Sequence, residues 1–337
     1  MRGPSAGRPN VSGPIDLTRP ASFAGTIPDF FVVGHPKCGT TALHQMLKLH
    51  PRIYMPDRKE PWFFAEELHE STPPRPEGTP RTLEQYAEWF TGAEPGQLVG
   101  EATAYYLWSK GAAANIARVN PDARIIAILR EPASFLRSLH LQLLEQYTEV
   151  ETDLGRALEL EQRRREGRAI PRYIYFPRML LYSEFVRYVE QLERVYAVFP
   201  AEQVKVLIYD DFRADNAATV REIHRFLGVE DTQPVHSVHA NPTVRPRSQL
   251  LNELVHAVGV GRGPLSRAVK EIVKVVTPDD ARRRAFYSLK RRAVFVAAEP
   301  PDPQLLSRIR ERYRGEVVAI SEYLGRDLVG LWRYDES

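Results

Sequence analysis

The segment Phe30-Phe31-Val32-Val33-Gly34-His35-Pro36-Lys37-Cys38-Gly39-Thr40-Thr41 constrains the fold of this chain more than any other stretch. Four apolar residues in a row, two of them β-branched, read as a strand buried on both faces. The run stops at a glycine and reopens at 40–49, where Leu43, Met46 and Leu47 recur at helical spacing. Strand, tight loop and helix N-terminus in that order bring unpaired backbone N–H groups and the positive end of a helix macrodipole to one point. Such a point binds phosphate-like anions. Gly34 and Gly39 let the loop curl and let the backbone approach the anion, because neither carries a Cβ. Lys37 adds a full charge, Thr40 and Thr41 add hydroxyls, and Cys38 lies between them.

The rest of the chain alternates in the same way. Strands are predicted at 30–33, 99–101, 124–129 and 204–209. Helices are predicted at 110–119, 133–146, 154–167, 182–199, 217–227 and 304–324. The 154–167 stretch reads as charged and exposed, and 182–199 as strongly amphipathic, ending at Pro200. Gly228 closes the 217–227 helix and Gly325 follows the last one. This order predicts an α/β fold: a P-loop-containing three-layer α/β/α domain around a central parallel sheet. Ligands on such sheets bind beyond the carboxyl ends of the strands. Residues 1–27, rich in Pro, Gly, Ser and Arg, read as a flexible tail, and 28–335 as a single domain.

Hydrophobic residues make up 43% of the 337, a globular proportion, and the formal net charge of +3 does not point to nucleic acid. One cysteine excludes an intramolecular disulfide and fits a reducing compartment. No apolar run approaches the roughly 20 residues of a membrane span. The first residues lack the apolar core of a signal peptide. These features predict a cytoplasmic protein without an integral membrane segment. From about 240 to 300 the pattern is less regular, basic and lid-like. Within it, 258–296 carries Arg282-Arg283-Arg284 and Lys290-Arg291-Arg292. A solvated helix face, a lid over an acceptor, and contact with an anionic membrane surface or an acidic carrier protein all fit that charge. The sequence carries no signal of oligomeric state.

The glycine spacing is that of a Walker A loop, GxxxxGK[ST], but Thr40 stands where that loop has its lysine, and the lysine lies inside the loop at 37. Pro36-Lys37-Cys38-Gly39-Thr40-Thr41 resembles the 5′-phosphosulfate loop of sulfotransferases that use 3′-phosphoadenosine 5′-phosphosulfate (PAPS). Arg124-Ile125-Ile126-Ala127-Ile128-Leu129-Arg130-Glu131-Pro132 resembles their second nucleotide element. In that family an arginine at the strand end and a serine eight residues later grip the 3′-phosphate, which implies this role for Arg130 and Ser138. The physics agrees: an arginine pairs with phosphate through two charge-assisted hydrogen bonds, and Pro132 suits the first turn of the following helix.

Lys59-Glu60-Pro61-Trp62-Phe63-Phe64 resembles the Glu-x-x-Phe-Phe element of the heparan-sulfate-type branch, whose glutamate is the general base. The resemblance makes Glu60 the candidate base. Aromatic neighbours desolvate a carboxylate and raise its pKa, while the charge of Lys59 acts the other way. A cap on the turn before Pro61, or an ion pair, accounts for Glu60 as well. At least two of Trp62, Phe63 and Phe64 are expected in the core. Gly100-Glu101-Ala102-Thr103-Ala104-Tyr105-Tyr106 resembles the Glu-Lys-[Ser/Thr] segment of that branch. Its lysine contributes to the active site, and Ala102 stands in its place here, which implies an acceptor less anionic than a glycosaminoglycan.

The small-molecule branch of the family uses a histidine base, and none of the nine histidines lies in a matching segment. His140 is flagged because it follows Ser138 by two residues; it is either a second catalytic candidate or a helix histidine satisfied by a neighbour. Tyr182 matches a tyrosine near the nucleotide in relatives. The loop 239–248 resembles an Asn…Pro-Arg-Ser segment of bacterial members, and Arg245 or Arg247 is expected to reach the 3′-phosphate; a surface arginine is the other reading.

The resemblance as a whole implies sulfuryl transfer from PAPS, leaving PAP, to a hydroxyl or amine of a small-molecule, lipid or carbohydrate acceptor, without a metal. Secondary metabolites are among the acceptors it allows. A P-loop kinase or NTPase using ATP and Mg²⁺, and a non-catalytic nucleotide-binding protein, are the alternatives.

Overall fold

A computed structural model describes residues 16–19, 22–68, 79–171, 174, 176–230, 244–246, 295–297 and 300–335. The chain divides into two compact units, one of Met1–Leu129 and Glu190–Val238, the other of Arg130–Val189 and His239–Ser337.

The first unit is built on a five-stranded sheet. Its strands are β1 (Phe30–Gly34), β2 (Ile53–Tyr54), β3 (Leu98–Thr103), β4 (Arg124–Leu129) and β5 (Val204–Ile208), in the order β2-β3-β1-β4-β5. Every pairing is parallel. All five β1 residues and the last five of β4 are buried, as expected for central strands covered on both faces. Helices α1 (Thr40–Lys48), α2 (Leu83–Ala87) and α3 (Ala112–Val119) connect the early strands. The sheet and its flanking helices form the predicted three-layer α/β/α arrangement.

Gly34 pairs with Ile128 in the sheet. A Cβ there would meet Ile128 Cγ2 at 2.7 Å and its carbonyl oxygen at 3.0 Å. The missing side chain therefore serves the close approach of β1 and β4, not the curl of the loop. Gly39 does serve the loop, with φ at 84°.

The second unit contains α4 (Pro132–Glu145), α5 (Leu154–Glu159), α6 (Glu161–Arg165), α7 (Tyr182–Phe185) and the closing helix (Pro303–Leu324), which ends at Gly325 with φ 60°. It also contains an antiparallel pair, β6 (Val244–Pro246) with β7 (Phe295–Ala297).

The predicted helix at 154–167 is two helices and not a uniformly exposed face. Glu161 and Arg164 are buried, and Arg164 pairs with the buried Glu149 at 2.8 Å. The predicted helix at 182–199 is also divided, into α7 and α8 (Tyr188–Tyr196). Phe63 and Phe64 are fully buried, which meets the expectation for that aromatic run. Within the predicted tail, Leu17 is buried and Asp16 forms a β-bridge with Thr82. Arg247, the side chain of Arg245 and both arginine-rich runs lie outside the described residues.

Candidate active site

The first unit carries the anion loop. β1 ends at Gly34, the Cys38 N–H donates to the His35 carbonyl at 3.3 Å, and α1 starts at Thr40. Gly39 is the N-cap and no side chain caps α1, so the first-turn N–H groups keep their donor capacity for an anion. Lys37 is left-handed, with φ 66°. Such a conformation in a side-chain-bearing residue costs about 1–2 kcal/mol and clusters at functional sites. Cys38 is buried and packs. His35 is also buried; desolvation first, with the Arg194 charge adding to it, pulls it down to about 3 against a hydrogen bond to Gln191. It is neutral at ordinary pH and adds no charge to the loop.

The candidate base stands beside this loop. The Glu60 N–H donates to the Ala102 carbonyl at 3.2 Å, which holds the 59–60 segment against the carboxyl end of β3. Glu60 (φ 61°) and Trp62 (φ 54°) are both left-handed, so three of the six positive-φ non-glycine residues among those described lie here. Desolvation raises Glu60 above the ordinary carboxylate value; the Lys59 charge and a hydrogen bond from Trp62 oppose it. Beneath, Phe63 stacks on Tyr86 at 4.7 Å and Phe64 meets Phe31 edge-on at 5.8 Å.

Sequence reasoning gave Lys59 and Glu101 no definite role, yet both face this centre. Lys59 Nζ donates to Thr41 Oγ1 at 3.2 Å. Desolvation lowers its pKa, and the charges of Glu60 and Glu101 oppose the shift. Glu101, 1% exposed, accepts from Thr103 Oγ1 at 2.6 Å and from the Tyr86 hydroxyl at 3.0 Å. Burial pushes it up to about 7, against those hydrogen bonds and with help from the Glu60 charge.

The second unit carries the other phosphate candidates. Arg130 Nε donates to Ser134 Oγ at 3.2 Å. Ser138, 4% exposed, has a buried Oγ with no hydrogen-bond partner among the described residues. A buried hydroxyl without a partner costs about 1–3 kcal/mol, which a bound oxyanion would relieve. Arg137, missed in the sequence reading, stands close enough for the Arg130 charge to add to burial in lowering its pKa. Its position seven residues after Arg130 was the available signal. The α4 N-terminus is closed to anions: the Glu131 carboxylate accepts from the N–H groups of Ala133 and Ser134, at 3.0 and 2.6 Å.

The remaining two candidates are engaged internally. His140 is buried and its Nε2 donates to the Glu151 carbonyl at 2.7 Å. Tyr182 is buried and its hydroxyl donates to Glu149 at 3.0 Å.

Comparison with known proteins adds four findings. The profile described as "Sulfotransferase family" matches residues 28–96 and 80–233. Heparan sulfate glucosamine 3-O-sulfotransferase 3B1 of Mus musculus is 25% identical over 222 residues, 66% of this chain and 51% of that protein. Membrane-associated sulfotransferase kil1 of Dictyostelium discoideum is 33% identical over 109 residues, 32% of this chain and 21% of that protein. The chain therefore spans about half of the first relative and about a fifth of the second. A sulfotransferase structure from Alicyclobacillus acidocaldarius shares the fold, with a TM-score of 0.65, 24% identity, and coverage of 91% of this chain and 99% of that one.

Proposed function

Because the chain belongs to the sulfotransferase family, we propose that it transfers a sulfuryl group from PAPS to a hydroxyl or amine of a carbohydrate, lipid or other small-molecule acceptor. The observation that carries this reading is the Lys59–Thr41 hydrogen bond of 3.2 Å, which ties the segment bearing Glu60 to the anion loop. Base and anion site are thereby held together in one unit.

PAPS, when bound, supplies an activated sulfuryl group on a phosphate leaving group. The N–H groups of Gly39, Thr40 and Thr41 and the Lys37 ammonium hold the 5′ end and offset negative charge on the leaving oxygen. Arg130, Arg137 and Ser138 hold the 3′-phosphate; the orphaned Ser138 hydroxyl fits such a ligand. Glu60 removes the acceptor proton, helped by the burial that strengthens it as a base. Ala102 stands where the enzymes this chain resembles carry a lysine, so any cation at this strand end must come from another segment. His140 and Tyr182 are given no role here: His140 Nε2 donates to the Glu151 carbonyl and the Tyr182 hydroxyl to Glu149.

Calorimetry with PAP, and with ATP and Mg²⁺, tests the reading. PAP is expected to bind and ATP to bind at least tenfold more weakly, on the scale of one lost charged contact. The reverse order would overturn the proposal in favour of a kinase or NTPase. Labelled PAPS incubated with metabolite extract is then expected to yield a product heavier by ~80 Da, one sulfuryl group.

A further inference from the structure

Lys59 joins the anion loop to the candidate base, and the proposed mechanism so far gives it no task. Its ammonium has donors only, so in the 3.2 Å contact the Thr41 oxygen is the acceptor and the Thr41 hydroxyl hydrogen is directed elsewhere. Thr41 sits in the first turn of α1, where the uncapped N–H groups lie. A hydroxyl anchored on its oxygen side is thus set to donate to whatever anion those groups hold.

The second observation concerns position 102. The Glu60 N–H binds the Ala102 carbonyl at 3.2 Å, so Lys59 is the immediate chain neighbour of a residue touching Ala102. Ala102 is where the resembling enzymes carry an active-site lysine. Here the cation beside that strand end comes from the neighbouring segment.

The charged surroundings fit a cation in this place. Lys59 faces the carboxylates of Glu60 and Glu101, which offset its burial, and its charge disfavours protonation of His44. Glu60 in turn faces Lys59, Glu101, Tyr105 and Trp62.

We propose that Lys59 is a positioning residue of the reaction centre and supplies the charge absent at Ala102: it aims the Thr41 hydroxyl at the bound anion and maintains the carboxylate of Glu60 beside it. The inference rests on the sulfotransferase reading of the site. It adds a relocated cation that the family resemblance does not assign.

The test uses the full chain and two readouts. PAP affinity is measured by calorimetry on wild type, K59M, T41A and the double variant. The Glu60 carboxyl is titrated by ¹³C NMR, its signal assigned by absence in E60Q. K59M and T41A are each expected to weaken PAP about tenfold, the worth of one charge-assisted hydrogen bond. The double variant is expected to lose no more than T41A alone. In K59M the Glu60 midpoint moves to higher pH, because the charge that opposed its burial is gone; in K59R it stays. K59Q replaces K59M in both measurements should K59M not fold.

An unmoved Glu60 midpoint in K59M, or independent costs that multiply in the double variant, would overturn the inference and leave Lys59 a structural residue. Failure of wild type to bind PAP would overturn the sulfotransferase reading itself, a result visible before any variant is made.

Discussion

Glu60 combines two costs: a left-handed backbone, φ 61°, and a half-buried carboxylate whose desolvation raises its pKa. Both suit a base that must hold its orientation and its proton affinity. Replacing it with Gln should lower turnover by about 10²-fold or more while leaving PAP affinity unchanged. Since burial raises its pKa, the acid limb of kcat/KM should lie above the ordinary carboxylate value of 4.5, with the rate rising as pH rises through it. A limb at or below that value would remove Glu60 as the base. Lys37→Ala should cut kcat by about 10²–10³-fold with a smaller loss of affinity, whereas Arg130→Ala should mainly weaken PAP. Equal losses of binding would contradict those roles. Ser138→Ala offers a sharper contrast. Removing an unpartnered buried hydroxyl should leave Tm unchanged or higher, while PAP affinity falls about tenfold. A lower Tm with unchanged affinity would make Ser138 structural.

Among the elements, β1 and β4 depend on one glycine. Gly34→Ala would drive a Cβ to 2.7 Å from Ile128 Cγ2, and denaturant unfolding should show a loss of about 1–3 kcal/mol. A neutral result would mean the two strands can separate. These strands were legible in the sequence because their apolar runs are continuous. α4, the helix Asn216–Leu227 and the closing helix were legible because Pro132, Gly228 and Gly325 mark their ends. β2 was not, since two residues carry no periodicity. The division of 154–167 was hidden too. Arg164 reads as surface charge until the fold brings Glu149 against it, fifteen positions away. The site shows the same boundary. The loop around Lys37, the strand-end Arg130 and the Glu60 segment are local patterns and could be read. The links Lys59 to Thr41, Glu60 to Ala102 and Tyr86 to Glu101 join separate stretches and could not. Tyr182, a position matched to relatives, and His140, flagged by its place after Ser138, show the converse: the fold gives the Tyr182 hydroxyl and His140 Nε2 internal partners that the sequence did not reveal.

For the molecule as a whole, buried titratable groups set the response to acid. An unfolded histidine titrates near 6.5, but His35 and His44 are drawn down to about 3 and about 4 when folded, and His140 also lies below 6.5, all chiefly by burial. Their contribution to stability is complete above 6.5 and is lost as pH falls toward the folded values. Glu101 works in the opposite sense. Its folded value near 7 exceeds the ordinary 4.5, so its contribution is present below 4.5 and lost as pH rises through 7. Between 6.5 and 4.5 the three histidines oppose Glu101 and Glu60, whose pKa desolvation also raises, and Tm should fall on acidification by roughly 5 °C or more. Glu101→Gln should steepen that fall and His44→Gln should flatten it. A Tm independent of pH across this window would show that the histidines are not held neutral. The Glu131 carboxylate that closes the start of α4 has a consequence of a different kind. On the proposed reading, the loop's peptide groups, together with Lys37, hold one end of the donor, and the side chains of Arg130, Arg137 and Ser138 hold the other. Donor preference would then be most open to evolutionary revision at the 3′ position, and a lineage exchanging a few residues around Arg130 could adopt another nucleotide while the transferring end stayed as it is.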